Sequence, residues 1–210
     1  MLCILTKTHQ ALEFAPAKPV AGPRCRSAAH AGRRLKESIV SVTIREERPE
    51  DNAAIRFVND KAFGQPQEGQ LVEALGKNGG VLLSLAAIAD RRVVGHILYS
   101  PVSIESGGKE IFGAGLGPMA VLPEFQRQGI GAKLVEAGNS RLRELSVPFI
   151  VVLGHPAYYP RFGFRPASRH GIRCEWEVPA DVFMVLVIDR ERMLSVSGLA
   201  KYRPEFSSVE

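Results

Sequence analysis

The chain has 210 residues, 45% of them hydrophobic and 23% charged, which suits one globular domain with an appendage and argues against a fibrous or low-complexity chain. Its formal net charge of +5 lies in residues 1–38, where seven Lys/Arg face only Glu13 and Glu37, while the rest holds 20 residues of each sign; the basic face that a nucleic-acid-binding fold needs is therefore missing. The apolar run over 81–89 is too short to span a membrane, and Cys3, Cys25 and Cys174 have neither CxxC nor metal-ligand spacing, which argues against a disulfide framework or metal site and fits a reducing, cytoplasmic compartment.

Residues 1–40 carry neither helical nor strand period, and Ala, Pro, Ser and Arg dominate them. They read as a basic, poorly ordered extension, with 41–210 as the folded domain. The extension lacks the apolar segment of a secretory signal. Its shortage of acids loosely resembles a transit peptide; a plain disordered tail or a start codon placed too far upstream is the simpler and favoured reading. Residues 41–46 (SVTIRE) alternate and are β-branched, the pattern of a first strand. Pro49, Glu50 and Asp51 suit a helix start, and that helix runs to Gly64. A second helix begins near Pro66 and stops at Asn78-Gly79-Gly80.

Residues 81–89, apolar except for Ser84, and 93–104 read as strands joined at Asp90-Arg91-Arg92, and Ser106-Gly107-Gly108-Lys109 turns into a third strand over 111–122. Residues 126–131 (QRQGIG) follow, and Ile130, Leu134, Val135, Gly138, Leu142 and Leu145 then recur at helical steps. A glycine-bearing loop that opens a helix directly after a strand presents unpaired N–H groups at the positive end of the helix dipole, which suits a phosphate. A tight turn that merely needs two glycines gives the same pattern. Residues 149–153 (FIVVL) are continuously apolar, as in a buried parallel strand reached by a crossover helix. A final strand covers 182–188. The order is β-α-α-β-β-β-α-β-short α-β-β, an α/β (α+β) class with a mixed, mostly antiparallel central sheet flanked by helices.

The run Val121-Leu122-Pro123-Glu124-Phe125-Gln126-Arg127-Gln128-Gly129-Ile130-Gly131 resembles the acetyl-CoA motif of the GNAT acetyltransferase superfamily, Q/R-x-x-G-x-G/A at its centre. Tyr158-Tyr159-Pro160-Arg161-Phe162-Gly163-Phe164 resembles that family's later F-Y-E-K-x-G-F segment. The run from Val152 to Pro166 is also similar to a largely uncharacterised bacterial branch of N-acetyltransferases. The resemblance covers about residues 41–190. It implies two strands, 116–122 and 149–153, splayed around acetyl-CoA as co-substrate, with no metal. The backbone at Met119, Ala120 and Val121 would meet the thioester and pantetheine. The N–H groups of Gln126, Arg127, Gln128, Gly129, Ile130, Gly131 and Ala132 would cradle the pyrophosphate. Arg127 and Lys133 would add charge there, or be solvated residues of a helix start.

Direct acetyl transfer to an amine needs a donor at the developing oxyanion, which Val121 N–H or a neighbour can supply. It also needs an acid for the departing sulfur and a base for the amine. Tyr159 matches the family position of the acid; Tyr158, one residue earlier, is the other candidate, and a packing aromatic is the plain alternative for either. No motif marks the base. His155 has a suitable pKa range, or is a turn residue before Pro156. His96, inside a strand, reads as structural, and Glu73 and Glu124 remain candidates. Two departures from the family pattern bear on the catalytic loop: Pro160 shortens the local helix, and Gly154-His155-Pro156 lacks the family's cofactor-contacting Asn. The implied partners are a small-molecule or peptide amine and, as often in the family, a second copy in a homodimer; no nucleic acid and no membrane are expected. The other reading of the whole chain is a non-catalytic acetyl-CoA sensor or partner module.

Overall fold

The structure is a computed structural model and describes residues 41–207. The expected extension over 1–40, with Cys3 and Cys25, lies outside the described residues. The elements are β1 (Val42–Glu46), α1 (Asn52–Phe63), α2 (Gln67–Lys77), β2 (Leu83–Ala89), β3 (Arg92–Ser106), β4 (Lys109–Val121), α3 (Ile130–Glu144), β5 (Phe149–Leu153), β6 (Arg165–Pro166), β7 (Ile172–Cys174), β8 (Phe183–Val187), α4 (Arg190–Met193) and β9 (Gly198–Lys201). They build one nine-stranded sheet in the order β1-β2-β3-β4-β5-β8-β6, with β9 pairing β3 and β7 beside that path. The β4–β5 and β7–β9 pairs are parallel and the others antiparallel.

The meander, the crossover helix and the buried parallel strand follow the sequence pattern closely. Three features differ. Pro49–Asp51 forms its own 3-10 turn before α1. The short helix after β5 is a 3-10 turn, Tyr159–Phe162, with Pro160 in its first turn. After the short helix two strands were expected, one of them over 182–188, and four are present, the others being β6, β7 and β9, with helix α4 besides. They hold two to four residues each, too few to carry a period, and β9 exists because it adds to Ser103–Glu105 far back in the chain.

Alternation along β3 divides the core. His96 and Leu98 point to the face covered by α1 and α2, where His96 meets Asn59 and Leu98 packs with Ile55, Leu71 and Leu75. Tyr99 points to the other face and lies against α3 at Gly138. Helix α3 sinks Ile130, Leu134, Val135 and Leu142 into that face, each burial stabilising by roughly 1.5–3 kcal/mol. Among the described residues no helix is long and apolar enough to cross a membrane.

Gly138 sits mid-helix, where alanine normally stabilises by about 1 kcal/mol. A Cβ at this position collides with the Tyr99 ring and hydroxyl. Gly138→Ala is therefore expected to reverse the usual sign and destabilise by about 1–3 kcal/mol through overpacking. Urea unfolding of the two proteins checks this; a stabilised Gly138→Ala would contradict the packing.

Candidate functional site

The site starts where β4 leaves β5. The two strands pair in parallel only from Ala114 to Leu116, opposite Ile150 to Val152. On the other edge of β4 the register with β3 shifts between Ile97 and Tyr99, so Leu98 alone faces Gly117 and Pro118. Two residues against one is a β-bulge, which bends and twists its strand. Pro118 has no N–H to give a ladder and is tolerated at such a bulge. Gly117 takes φ +153° there, a region that favours glycine. Beyond this kink β4 continues along β3 without β5 beside it.

Ladder geometry decides which backbone groups face the gap. Leu122 N–H donates to Val94 O at 2.9 Å. Groups on an antiparallel strand alternate sides, so Ala120 turns its N–H and C=O toward His96 of β3, its register partner. Met119 and Val121 turn theirs to the β5 side. The Val121 carbonyl is taken by the Gln126 side chain, whose Nε2 donates at 3.0 Å. Gln126 thus ties the turn back onto β4. Gln128 Nε2 donates to Glu124 O at 3.1 Å, a bond within the connection itself.

The turn itself is left-handed at Arg127 (φ +62°) and Gly129 (φ +81°), and Gly129 is the N-cap of α3. Left-handed residues feeding a helix start gather successive N–H groups into an anion-binding concavity. The N–H groups of Gly129, Ile130, Gly131 and Ala132 belong to the first turn and lack intrahelical acceptors. Gly131 is also a close approach: its Cβ would stand 2.9 Å from Tyr158 Oη and 3.7 Å from Met119 Cε. The two halves of the expected slot, Met119 and the glycine turn, therefore meet.

The two tyrosines have different surroundings. Tyr158 reaches the first turn of α3 and carries the Arg161 guanidinium 4.0 Å above its ring. Burial pushes its pKa up, and Arg161 opposes that. Tyr159 lies on Gly154 at the end of β5, so closely that a Cβ there would collide with its ring. It packs on Phe164 and Tyr158 with ring centroids 5.6 and 5.1 Å away. Burial, then the Tyr158 hydroxyl, raise its pKa well above the usual tyrosine value, so it is a neutral hydroxyl at any working pH.

The histidines are committed elsewhere. His155 Nδ1 accepts from Ala157 N–H at 3.2 Å, closing the turn before Tyr158. His96 is fully buried, with Nδ1 3.1 Å from Asn59 Nδ2 and Nε2 2.9 Å from Ser84 Oγ. Ser84 in turn donates to Glu47. Sequence reasoning missed this chain, although Ser84 was the one polar residue of its strand. Asn139 is buried on α3. Among the described residues no group of three or more His, Cys, Asp or Glu gathers as metal ligands.

Residues 83–166 match the family model described as an acetyltransferase (GNAT) domain. The uncharacterized N-acetyltransferase YhbS of Escherichia coli K12 is 33% identical over 165 residues, covering 78% of this chain and 98% of that protein. YjhQ of the same strain, also named an uncharacterized N-acetyltransferase, is 35% identical over 134 residues, covering 62% of this chain and 74% of its own. The crystal structure of E. coli YhbS in complex with CoA aligns with TM-score 0.76 and 32% identity, over 80% of this chain and 93% of that one. A GNAT family acetyltransferase from Brucella melitensis in complex with acetyl-CoA aligns with TM-score 0.65 and 37% identity, over 79% and 98%.

An alanine at Gly129 must hold a left-handed φ, which costs an L-residue about 1–2 kcal/mol. Gly129→Ala is therefore expected to weaken coenzyme A binding about tenfold, since 1.4 kcal/mol is a factor of ten. Calorimetric titration with coenzyme A checks this, and unchanged affinity would mean that the turn does not hold the phosphates.

Proposed function

The chain belongs to the GNAT acetyltransferase family, and from that premise we propose that it moves an acetyl group from acetyl-CoA to a primary amine by direct attack, with Tyr159 as general acid. The observation that carries this reading is the parting of β4 from β5 at Leu116, with the Met119 and Val121 N–H groups turned into the gap and the α3 glycine turn at its end. Acetyl-CoA supplies an activated thioester. The residues present suit it: a row of backbone donors for an amide-bearing arm, then a concave turn of N–H groups for a pyrophosphate.

Order along the strand divides the work. Val121 is the residue nearer the turn, so its N–H would hold the arm. Met119 is nearer the vertex, so its N–H would meet the carbonyl oxygen where negative charge develops. Gln126, Arg127, Gln128, Gly129, Ile130, Gly131 and Ala132 would bind the diphosphate, chiefly through backbone N–H groups. Ala120 contributes by pairing with His96, which holds its two neighbours in that orientation.

Tyr159 would give its proton to the sulfur as the carbon–sulfur bond breaks, and regain one from the proton the acceptor nitrogen releases. Its raised pKa supports the role in one respect: the hydroxyl is always loaded. We assign the base to no side chain. His155 spends Nδ1 on its own turn, and His96 is sealed under α1. The acceptor nitrogen's proton returns to the Tyr159 oxygen by way of solvent.

The two tyrosines are separable by experiment. Tyr159→Phe is expected to lower kcat about a hundredfold, within the range of lost acid catalysis, with the acetyl-CoA KM nearly unchanged. Tyr158→Phe, which removes the hydroxyl that reaches the start of α3, is expected to alter KM for acetyl-CoA more than kcat. Release of free coenzyme A thiol, with a panel of small amines, amino acids and lysyl peptides as acceptors, provides the readout. If Tyr159→Phe keeps full kcat while Tyr158→Phe loses it, the acid is Tyr158.

A further inference from the structure

A cavity of about 840 Å³ lies away from the acetyl-CoA slot, between the end of β1, the start of β2, α1, α2 and the end of α3. That is the size of a small-molecule site. Its apolar wall is Ile55, Val72, Leu82 and Leu83. Glu47 and Ser84 stand on the same wall.

The state of Glu47 follows from the hydrogen bonds behind it. Asn59 Nδ2 donates to the Ile55 carbonyl at 2.9 Å. A carbonyl only accepts, so that atom is the NH₂ nitrogen, and its second hydrogen goes to His96 Nδ1. His96 Nδ1 is then an acceptor, and the ring carries its proton on Nε2. Nε2–H donates to Ser84 Oγ, and the Ser84 hydroxyl donates to Glu47. Every proton in the chain points toward the carboxylate. The imidazole is neutral, and burial opposes its charging. The His96 ring and the Ser84 hydroxyl hold the Glu47 carboxyl below its ordinary value.

Glu47 is therefore an ionised, half-buried carboxylate whose basic neighbour carries no charge. The arginines on the wall already have partners. Arg56 pairs with Asp60 and Glu73 at 3.0 and 2.9 Å. Arg141 pairs with Glu46 and Glu144 at 3.2 and 3.0 Å, and Arg48 approaches Glu50 at 3.8 Å. Lys77 is exposed on the α2 rim. An ionised carboxylate that has only neutral donors behind it and apolar surface beside it attracts a cation in front of it.

We propose that this cavity is a second ligand site, which takes a primary ammonium carried on an apolar body, with Glu47 as its counter-ion. It is not the acceptor position of the acetyl-CoA slot. Glu46 registers with Leu85, Leu85 with Ile97 and Ile97 with Met119. Three strand spacings of about 4.8 Å put roughly 14 Å between the β1 edge and Met119. An attacking nitrogen has to come within about 3.5 Å of the carbonyl carbon.

The test is calorimetric titration of the full chain with hexylammonium, with hexanol as the uncharged probe. Hexylammonium is expected to bind one to one, and hexanol at least tenfold more weakly. Glu47→Gln keeps an oxygen for Ser84 and removes the charge. Gly76→Leu fills the cavity from α2, where an added Cβ meets nothing within 4 Å. Each variant is expected to weaken hexylammonium at least tenfold while the acetyl-CoA dissociation constant stays within twofold. The proposal is overturned if hexylammonium does not bind the unaltered chain, if hexanol binds as well, or if both variants bind like it. It is also overturned if hexylamine is acetylated with a kcat/KM that falls in Glu47→Gln, because the cavity would then serve the reaction itself.

Discussion

The site depends on a β-ladder that stops partway. β4 and β5 pair over three residues and then separate, and the bulge at Gly117 and Pro118 bends β4 at that place. Unpaired backbone groups on a sheet edge demand partners. In a closed sheet the next strand supplies them; here a ligand with amide groups of its own can do so. The strict alternation of the antiparallel pair with β3 decides which groups are offered. Moving the β3–β4 register by one residue would turn Met119 and Val121 toward β3 and expose Ala120 instead.

The same constraint explains how α3 is mounted. A crossover helix between β4 and β5 has to begin at the mouth of the gap, and its first turn must stay open to it. Glycine meets that need twice: Gly129 by its left-handed conformation and Gly131 by admitting the Tyr158 hydroxyl and the Met119 thioether end. Further along, Gly138 lets the Tyr99 ring lie against the helix axis. Leu134, Val135 and Leu142 then fix its rotation on the sheet. The glycine turn and the vertex of the gap are thus set by one helix seated on β3 and β4.

Much of this was legible in the chain. The period of 130–144, the apolar 149–153 and the glycine turn are local patterns, and each found its element. What stayed hidden was non-local. Strand β9 is four residues defined by Ser103–Glu105 on one side and by β7 on the other. Ser84 and His96 lie on neighbouring strands, and their pairing with Glu47 and Asn59 needs the packing of α1. The lone serine in an apolar strand was the available signal. Tyr158 and Tyr159 could not be told apart by spacing. Tyr158 caps the 3-10 turn and Tyr159 is its first residue, and successive residues there project about 120° apart, which sends one to α3 and the other onto Gly154.

The buried chain from Asn59 to Glu47 also bears on the missing base. Accepting a proton at His96 Nδ1 would require the Asn59 amide to rotate and set its oxygen against the Ile55 carbonyl, two acceptors face to face. The ring is thereby held in one tautomer and one charge state. It cannot act as a proton acceptor for a substrate on the far side of β3, however near Ala120 its backbone lies. A titratable side chain in an acetyltransferase sheet thus becomes a rigid strut. It fixes the separation of α1 from β3 and directs its single proton outward to Ser84, whose hydroxyl donates in turn to Glu47. With His96 frozen, the pH dependence of acetyl transfer should follow the acceptor amine's own ionisation rather than that of this histidine.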